Sequence, residues 1–205
     1  MILTIAPKYL KALSYAMAAK DVRYYLLGVG IDATSEATHW LAADGHRMSV
    51  YHGAASEDGF GTCILPRSFV LAVLKMGDRF TKSIQFRVDF TAQTVTHVAS
   101  GLTDKLIDGR YPDWRRVVPT SVSGEPAQFN PEYLGDLAKV ASVLGFKPFH
   151  TRAAYNGQSG AIFMVGTETD FITVIMPMRQ DAACVPDWLA PTETAPTETA
   201  PTETA

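Results

Sequence analysis

A short strand, a proline and an amphipathic helix recur three times along this chain, and this repeat constrains the fold more than any single motif. The first copy is Leu3–Ile5, Pro7 and a helix from Lys8 to about Ala19. The second is Cys63–Leu65, Pro66 and Arg67–Met76. The third is Ala127–Phe129, Pro131 and Glu132–Leu144. Proline at the first helical position costs nothing, because that N–H has no intrahelical partner. Asn130 suits the N-cap of the third helix, and Glu132 suits its positive end. Gly77 and Gly145 stand where helix-ending glycines belong. Leu10, Leu13 and Met17, like Leu137, Val140 and Leu144, mark one buried stripe per helix. The first and third copies read alike, PKYLKAL against PEYLGDL.

Three strand-like runs follow each helix: Val22–Ile31, Thr38–Ala43 and Arg47–His52; Ser83–Asp89, Thr94–Ala99 and Leu102–Ile107; Phe149–Asn156, Ala161–Val165 and Phe171–Met178. Gly, Asn, Asp and Ser separate many of them, as hairpins require. Each unit is therefore βαβββ, with prolines 59 and 65 positions apart. Repetition at this spacing implies an array or ring of antiparallel sheets with helices on one face, an α+β class, rather than a single enzyme fold.

With 205 residues the chain can bury a core in one or two domains. No apolar run approaches the roughly 20 residues that span a membrane. MILTIAPKYLK lacks a basic n-region and cleavage site, so no signal peptide is expected. Cys63 and Cys184 form no metal-type pair and fit a reducing, cytoplasmic setting. After Arg179 comes QDAACVPDWL, then repeated APTET, which is expected to be disordered from about Ala190. Trp188 and Leu189 are the tail residues able to dock. The net charge of −3 is matched by Glu193, Glu198 and Glu203 of this tail. The remaining body is neutral and would hold DNA weakly, through phosphates alone.

Catalytic signatures are lacking. His39, His46, His52, His97 and His150 fall in no HExxH set, and there is no GxSxG or Walker loop. Gly28-Val29-Gly30 follows a strand but lacks the third glycine of a dinucleotide loop. Asp108 and Asp113 flank arginines and read as turn and ion-pair residues. The expectation is a protein that is not an enzyme and uses no metal or cofactor.

In LTDKLIDGRYPDWRRVVP, residues 102–119, Arg110, Arg115 and Arg116 alternate with Tyr111 and Trp114. This is either a solvated crossing loop or a segment that grips a peptide or a phosphate backbone. Together with DVRYYL at Asp21–Leu26, DGHR at Asp44–Arg47 and MPMR at Met176–Arg179, in that order, it resembles the bacterial sliding clamp, the beta subunit of DNA polymerase III. The resemblance implies a DNA-clamp fold. Residues 1–119 correspond to the clamp's middle domain, 125–179 to the second half of its last domain, and 180–205 to an extension. The first domain and the first half of the last have no counterpart here.

The resemblance also implies a pocket for short linear motifs of polymerases and repair proteins. Its residues here are Arg23 and Leu26 from DVRYYL, and His46, Arg47 and Met48 from the DGHR turn. Pro112, Arg116 and Val117 come from the arginine-rich stretch, and Val174, Ile175, Met176, Pro177 and Met178 from the last strand. Methionines give an adaptable apolar floor, although core packing alone would also use them. DGHR by itself reads equally as a hairpin turn. Double-stranded DNA is the second implied partner, through Lys20, Arg23, Tyr24 and Tyr25, of which strand alternation lets only one tyrosine face DNA. Lys8, Lys11, Arg67, Lys75 and Lys139 would line the channel or simply solvate helix faces.

A family ring holds about twelve such units, so three per chain imply a homotetramer. An odd number of units flips each neighbour, which implies twofold contacts, dihedral symmetry and pockets on both ring faces. The implied function is a processivity factor that encircles DNA, with a clamp loader as a further partner. The alternative is a non-encircling adaptor or competitor that binds the same motifs.

Overall fold

The computed structural model describes residues 1–56, 58–76, 82–147 and 150–180, with Cys184, Pro186 and Leu189. Gly77, Phe149, Trp188 and the tail from Ala190 lie outside the described residues, so the expectations placed on them have no structural counterpart.

The first unit comprises β1 (Ile2–Ile5), α1 (Pro7–Ser14), a 3₁₀ turn at Tyr24–Leu26, β2 (Gly28–Ala33), β3 (Ala37–Ala43) and β4 (Arg47–Ala54). The second comprises β5 (Gly61–Pro66), α2 (Arg67–Met76), β6 (Ile84–Asp89), β7 (Thr94–His97) and β8 (Thr103–Lys105). A short α3 (Trp114–Val117) follows. The third unit has α4 (Pro131–Leu144), β9 (Thr151–Ala154), β10 (Ala161–Val165) and β11 (Phe171–Ile175). All strand pairs are antiparallel.

The strands form two sheets, β1-β6-β7-β8 and β5-β2-β3-β4-β11-β10-β9. The first two units exchange their first strands: β1 lies on β6, and β5 lies on β2. One core therefore serves both units. Leu3, Ile5, Leu10 and Leu13 meet Phe69, Val70 and Phe86 there, and Trp40 is fully buried against Phe86. Burial of such side chains stabilises by roughly 1.5–3 kcal/mol each.

The third unit joins through β11 on β4, in register from Phe171–Tyr51 to Ile175–Arg47. At this seam the buried hydroxyls of Ser49 and Thr173 bond at 2.9 Å. Tyr9 stacks on Tyr51 at 3.9 Å and donates to Glu168 at 3.0 Å. Arg47 reaches across: it donates to Asp44, to Asp136 of α4 at 2.7 Å and to the Tyr15 carbonyl at 2.6 Å.

Several expected boundaries differ: β7, β8, β9 and β11 are shorter than expected, and three further differences have a visible cause. α1 ends at Ser14, not Ala19: past it Tyr15 O accepts from Arg47, Met17 O accepts from Arg67 at 3.0 Å, and the Ala18 N–H is turned to Ala43 O at 3.3 Å. The expected strand from Val22 begins only at Gly28; Asp21 turns the chain by accepting from the Arg23 backbone N–H at 2.8 Å. The expected strand Ala127–Phe129 is reduced to a single bridge, Gln128–Met178. The third helix matches its expected caps. Asn130 accepts from Glu132 N at 2.9 Å, and Gly145 is left-handed with φ 91°.

Candidate peptide pocket at the seam

The face of the seven-stranded sheet opposite α1 is crossed by the chain after β8. Tyr111 lies flat on Gly30, where any side chain would collide with its ring. Gly30 thus makes room for an aromatic ring and no dinucleotide. Asp113 caps α3 by accepting from Arg115 N at 3.1 Å. Trp114 Nε1 and Arg115 both donate to Asp32, at 3.0 and 2.6 Å. Burial pushes the Asp32 carboxyl up, but these two donors outweigh it and hold it below the ordinary range. The Trp114 ring rests on His39, whose Nε2 is 3.0 Å from His52 Nδ1. Asp32, His39 and His52 are cross-strand neighbours in one row. This strap fixes Pro112 and Val117 over the end of β4.

The β3–β4 hairpin supplies the next wall. Asp44 accepts from His46 N and Arg47 N, at 3.0 and 3.1 Å, which closes the turn. Gly45 has φ 91°, and a side chain there would meet the Arg23 guanidinium. Arg23 is held by a two-pronged pair with Asp21, at 2.9 and 2.7 Å. That hydrogen bonding lowers the Asp21 carboxyl to about 2, so the pair persists at neutral pH. β11 supplies the last wall: Val174 faces Met48, and Met176 N donates to His46 O at 2.8 Å.

Between these walls lies a cavity of about 140 Å³. Its floor is Leu26, Ala43, Met48 and Val174, all buried; its rim is Arg23, Tyr25, His46, Arg47, Pro112, Val117 and Met176. Nine of the thirteen residues expected for the pocket therefore converge on one hollow. Four do not line it. Ile175 points to the opposite face and packs with Leu137 and Phe163, as alternation in a strand requires. Met178 is drawn to Gln128, while Pro177 and Arg116 stand outside the lining. Tyr25, Ala43 and Gly45 were not anticipated. Tyr25 follows from the 3₁₀ turn, which abolishes strand alternation at Tyr24 and Tyr25. A second cavity of about 450 Å³ shares Pro112 and carries Asp32, Arg110, Asp113 and Arg115.

The residues expected to face DNA divide. Lys8, Lys11, Lys20, Lys75 and Lys139 are exposed. Lys11 and Lys139 converge on the Tyr15 ring, at 5.1 and 6.0 Å from its centre, so α1 and α4 present their lysines together. Lys139 is also paired with Asp136 at 2.6 Å. Arg67 is partly buried and bonded to Met17 O, and Arg23 is engaged by Asp21; neither guanidinium is a freely solvated cation. Tyr24 is 56% exposed. Among the described residues no group of three or more His, Cys, Asp or Glu side chains could hold a metal ion, and no helix is long and apolar enough to cross a membrane.

The family described as DNA polymerase III beta subunit, central domain, matches residues 5–113. The beta sliding clamp of Escherichia coli K12 is 34% identical over 115 residues, 55% of this chain and 31% of that protein. The beta sliding clamp of Vibrio cholerae is 35% identical over 112 residues, 53% of this chain and 30% of that protein. The chain thus spans about a third of the length of these relatives. A solved DNA polymerase sliding clamp from Pseudomonas aeruginosa aligns with TM-score 0.71 and 22% identity, covering 88% of this chain and 66% of that one. The sliding clamp from Caulobacter crescentus aligns with TM-score 0.71 and 18% identity, covering 87% and 65%. The structural likeness takes in far more of the chain than the sequence likeness does, and it shows the clamp fold. Through its first two units, this chain belongs to the DNA polymerase III beta-subunit family.

Proposed function

We propose that the chain is a clamp-like processivity factor: a ring around duplex DNA that tethers replication or repair proteins by a short linear motif seated at the seam between the first and third units. The cavity carries this reading. Four sequence-distant segments and two units build one apolar hollow with guanidinium and imidazole groups at its rim, the arrangement that seats one or two apolar anchors of a peptide. The exposed lysines of α1, α2 and α4 are the channel-facing groups, acting on phosphates without reading sequence. Four copies of three units make a closed ring of about twelve, a homotetramer with the clamp loader and the motif-bearing protein as further partners. The role is mechanical, with no catalytic step.

The hollow is complete within a single chain, which also fits a second reading, an adaptor or competitor that docks motifs without encircling DNA. Gel filtration with nicked circular duplex, with and without a clamp loader, separates the two. The ring reading expects co-elution with the circle that is lost when the circle is linearised. Co-elution with neither form, loader present, leaves the adaptor.

A further inference from the structure

We propose that two copies of this chain join about a twofold axis through their third units, each giving a strand and a helix face that the other lacks. The inference rests on the pattern of strand exchange and not on the ring.

In the first two units every first strand has two neighbours. One edge lies on the partner unit: Ile5 faces Ile84 in β6, and Ile64 faces Gly30 in β2. The other edge is covered by the chain just past the last strand of its own unit. Ser56 Oγ donates to Ile2 O at 2.8 Å, and Ile107 N donates to Ile64 O at 3.0 Å. The third unit repeats half of this. Met178, just past β11, donates to Gln128 O at 2.7 Å, so the 127–129 segment already sits in the first-strand position. Its other edge meets no strand among the described residues, and β9 ends the seven-stranded sheet without receiving one.

Helix burial points the same way and is independent of the strands. The third residue after each unit's proline is Leu10, Phe69 and Leu134. Leu10 is 0% exposed and Phe69 2%, both in the core the two exchanging units share, whereas Leu134 is 39% exposed. Gly135 and Ala138 beside it are exposed and small, which permits close approach of another helix. α1 and α2 make such a contact within the first pair.

The occupant must offer a free second strand and a free helix face in the same arrangement. Among the described residues only the third unit has both, so the complement is the third unit of a second copy. Because each copy gives what it receives, the contact is twofold. Segment 127–129 of one copy lies along β9 of the other, closing both open edges, and Leu134 packs between the two α4 helices.

The test is light scattering of the full chain from about 1 to 100 μM, with amide hydrogen exchange at Thr151–Ala154. The expected mass is two or four chains, with β9 amides slowed as association rises. Leu134→Glu, an exposed position in the single chain, should weaken self-association at least tenfold and return β9 to fast exchange, leaving exchange along β1 and β6 unchanged. A monomer throughout, or an oligomer whose mass and β9 protection Leu134→Glu does not alter, overturns the proposal. Dimers that Leu134→Glu breaks but that never retain a DNA circle uphold this interface while refuting the ring.

Discussion

Arg47 and Asp136 show how much of the seam depends on single side chains. The Arg47 guanidinium spends its donors on Asp44, Asp136 and Tyr15 O, and it also lies over the Tyr133 ring at 4.5 Å. Asp136 joins it to Lys139. Burial raises the Asp136 carboxyl, but hydrogen bonds from Lys139 and Arg47 outweigh it, and the group stays below the ordinary range. Asp136→Asn should therefore cost about 1–3 kcal/mol near neutral pH, because it removes one of the two carboxylates that pair with a largely buried guanidinium. The folded pKa is depressed, so this stability is present above the ordinary carboxylate range and is lost as pH falls through the lower folded value. Melting curves of parent and variant should be well separated at pH 7 and converge as pH falls below the ordinary carboxylate range. Equal melting at pH 7 would show that the pair contributes nothing. DGHR disclosed the turn that holds Arg47; that Arg47 reaches Asp136, 89 residues on, is a tertiary fact with no local signal.

At the scale of elements, the helix starts were legible because proline and Asn130 act on the backbone beside them. Asn130→Ala should lower stability by about 1 kcal/mol, read as a shift in denaturant midpoint with unchanged slope. A shift below about 0.2 kcal/mol would mean the cap adds nothing. β3, β4 and β10 were legible as strand-like runs bounded by turn residues. The short α1 and the late start of β2 were not, since Arg67, Arg47 and Asp21 override apolar runs that favour longer elements. The third first-strand is reduced to the Gln128–Met178 bridge, and among the described residues no strand lies along its other edge.

For the whole molecule, the repeat disclosed the unit, while the joining of β11 to β4 at the seam had no local signal. Strand exchange determines which units pair, and no periodicity reports that. The same limit applied to the site. Motifs named most of its lining, while Ile175 and Met178 failed on strand direction and on the Gln128 bridge. The proposed function depends on the hollow between the first and third units being a peptide seat. The most direct measurement is a calorimetric titration with a short peptide bearing Leu and Phe anchors, paired with NMR of the Met48, Met176 and Val174 methyl groups. The account predicts low-micromolar binding, shifts confined to those methyls and their neighbours, and a roughly tenfold loss in Met176→Ala. That variant should fold as the parent does, since Met176 is 43% exposed. Absence of binding, or binding that leaves these methyls unmoved and is unchanged in Met176→Ala, would contradict it.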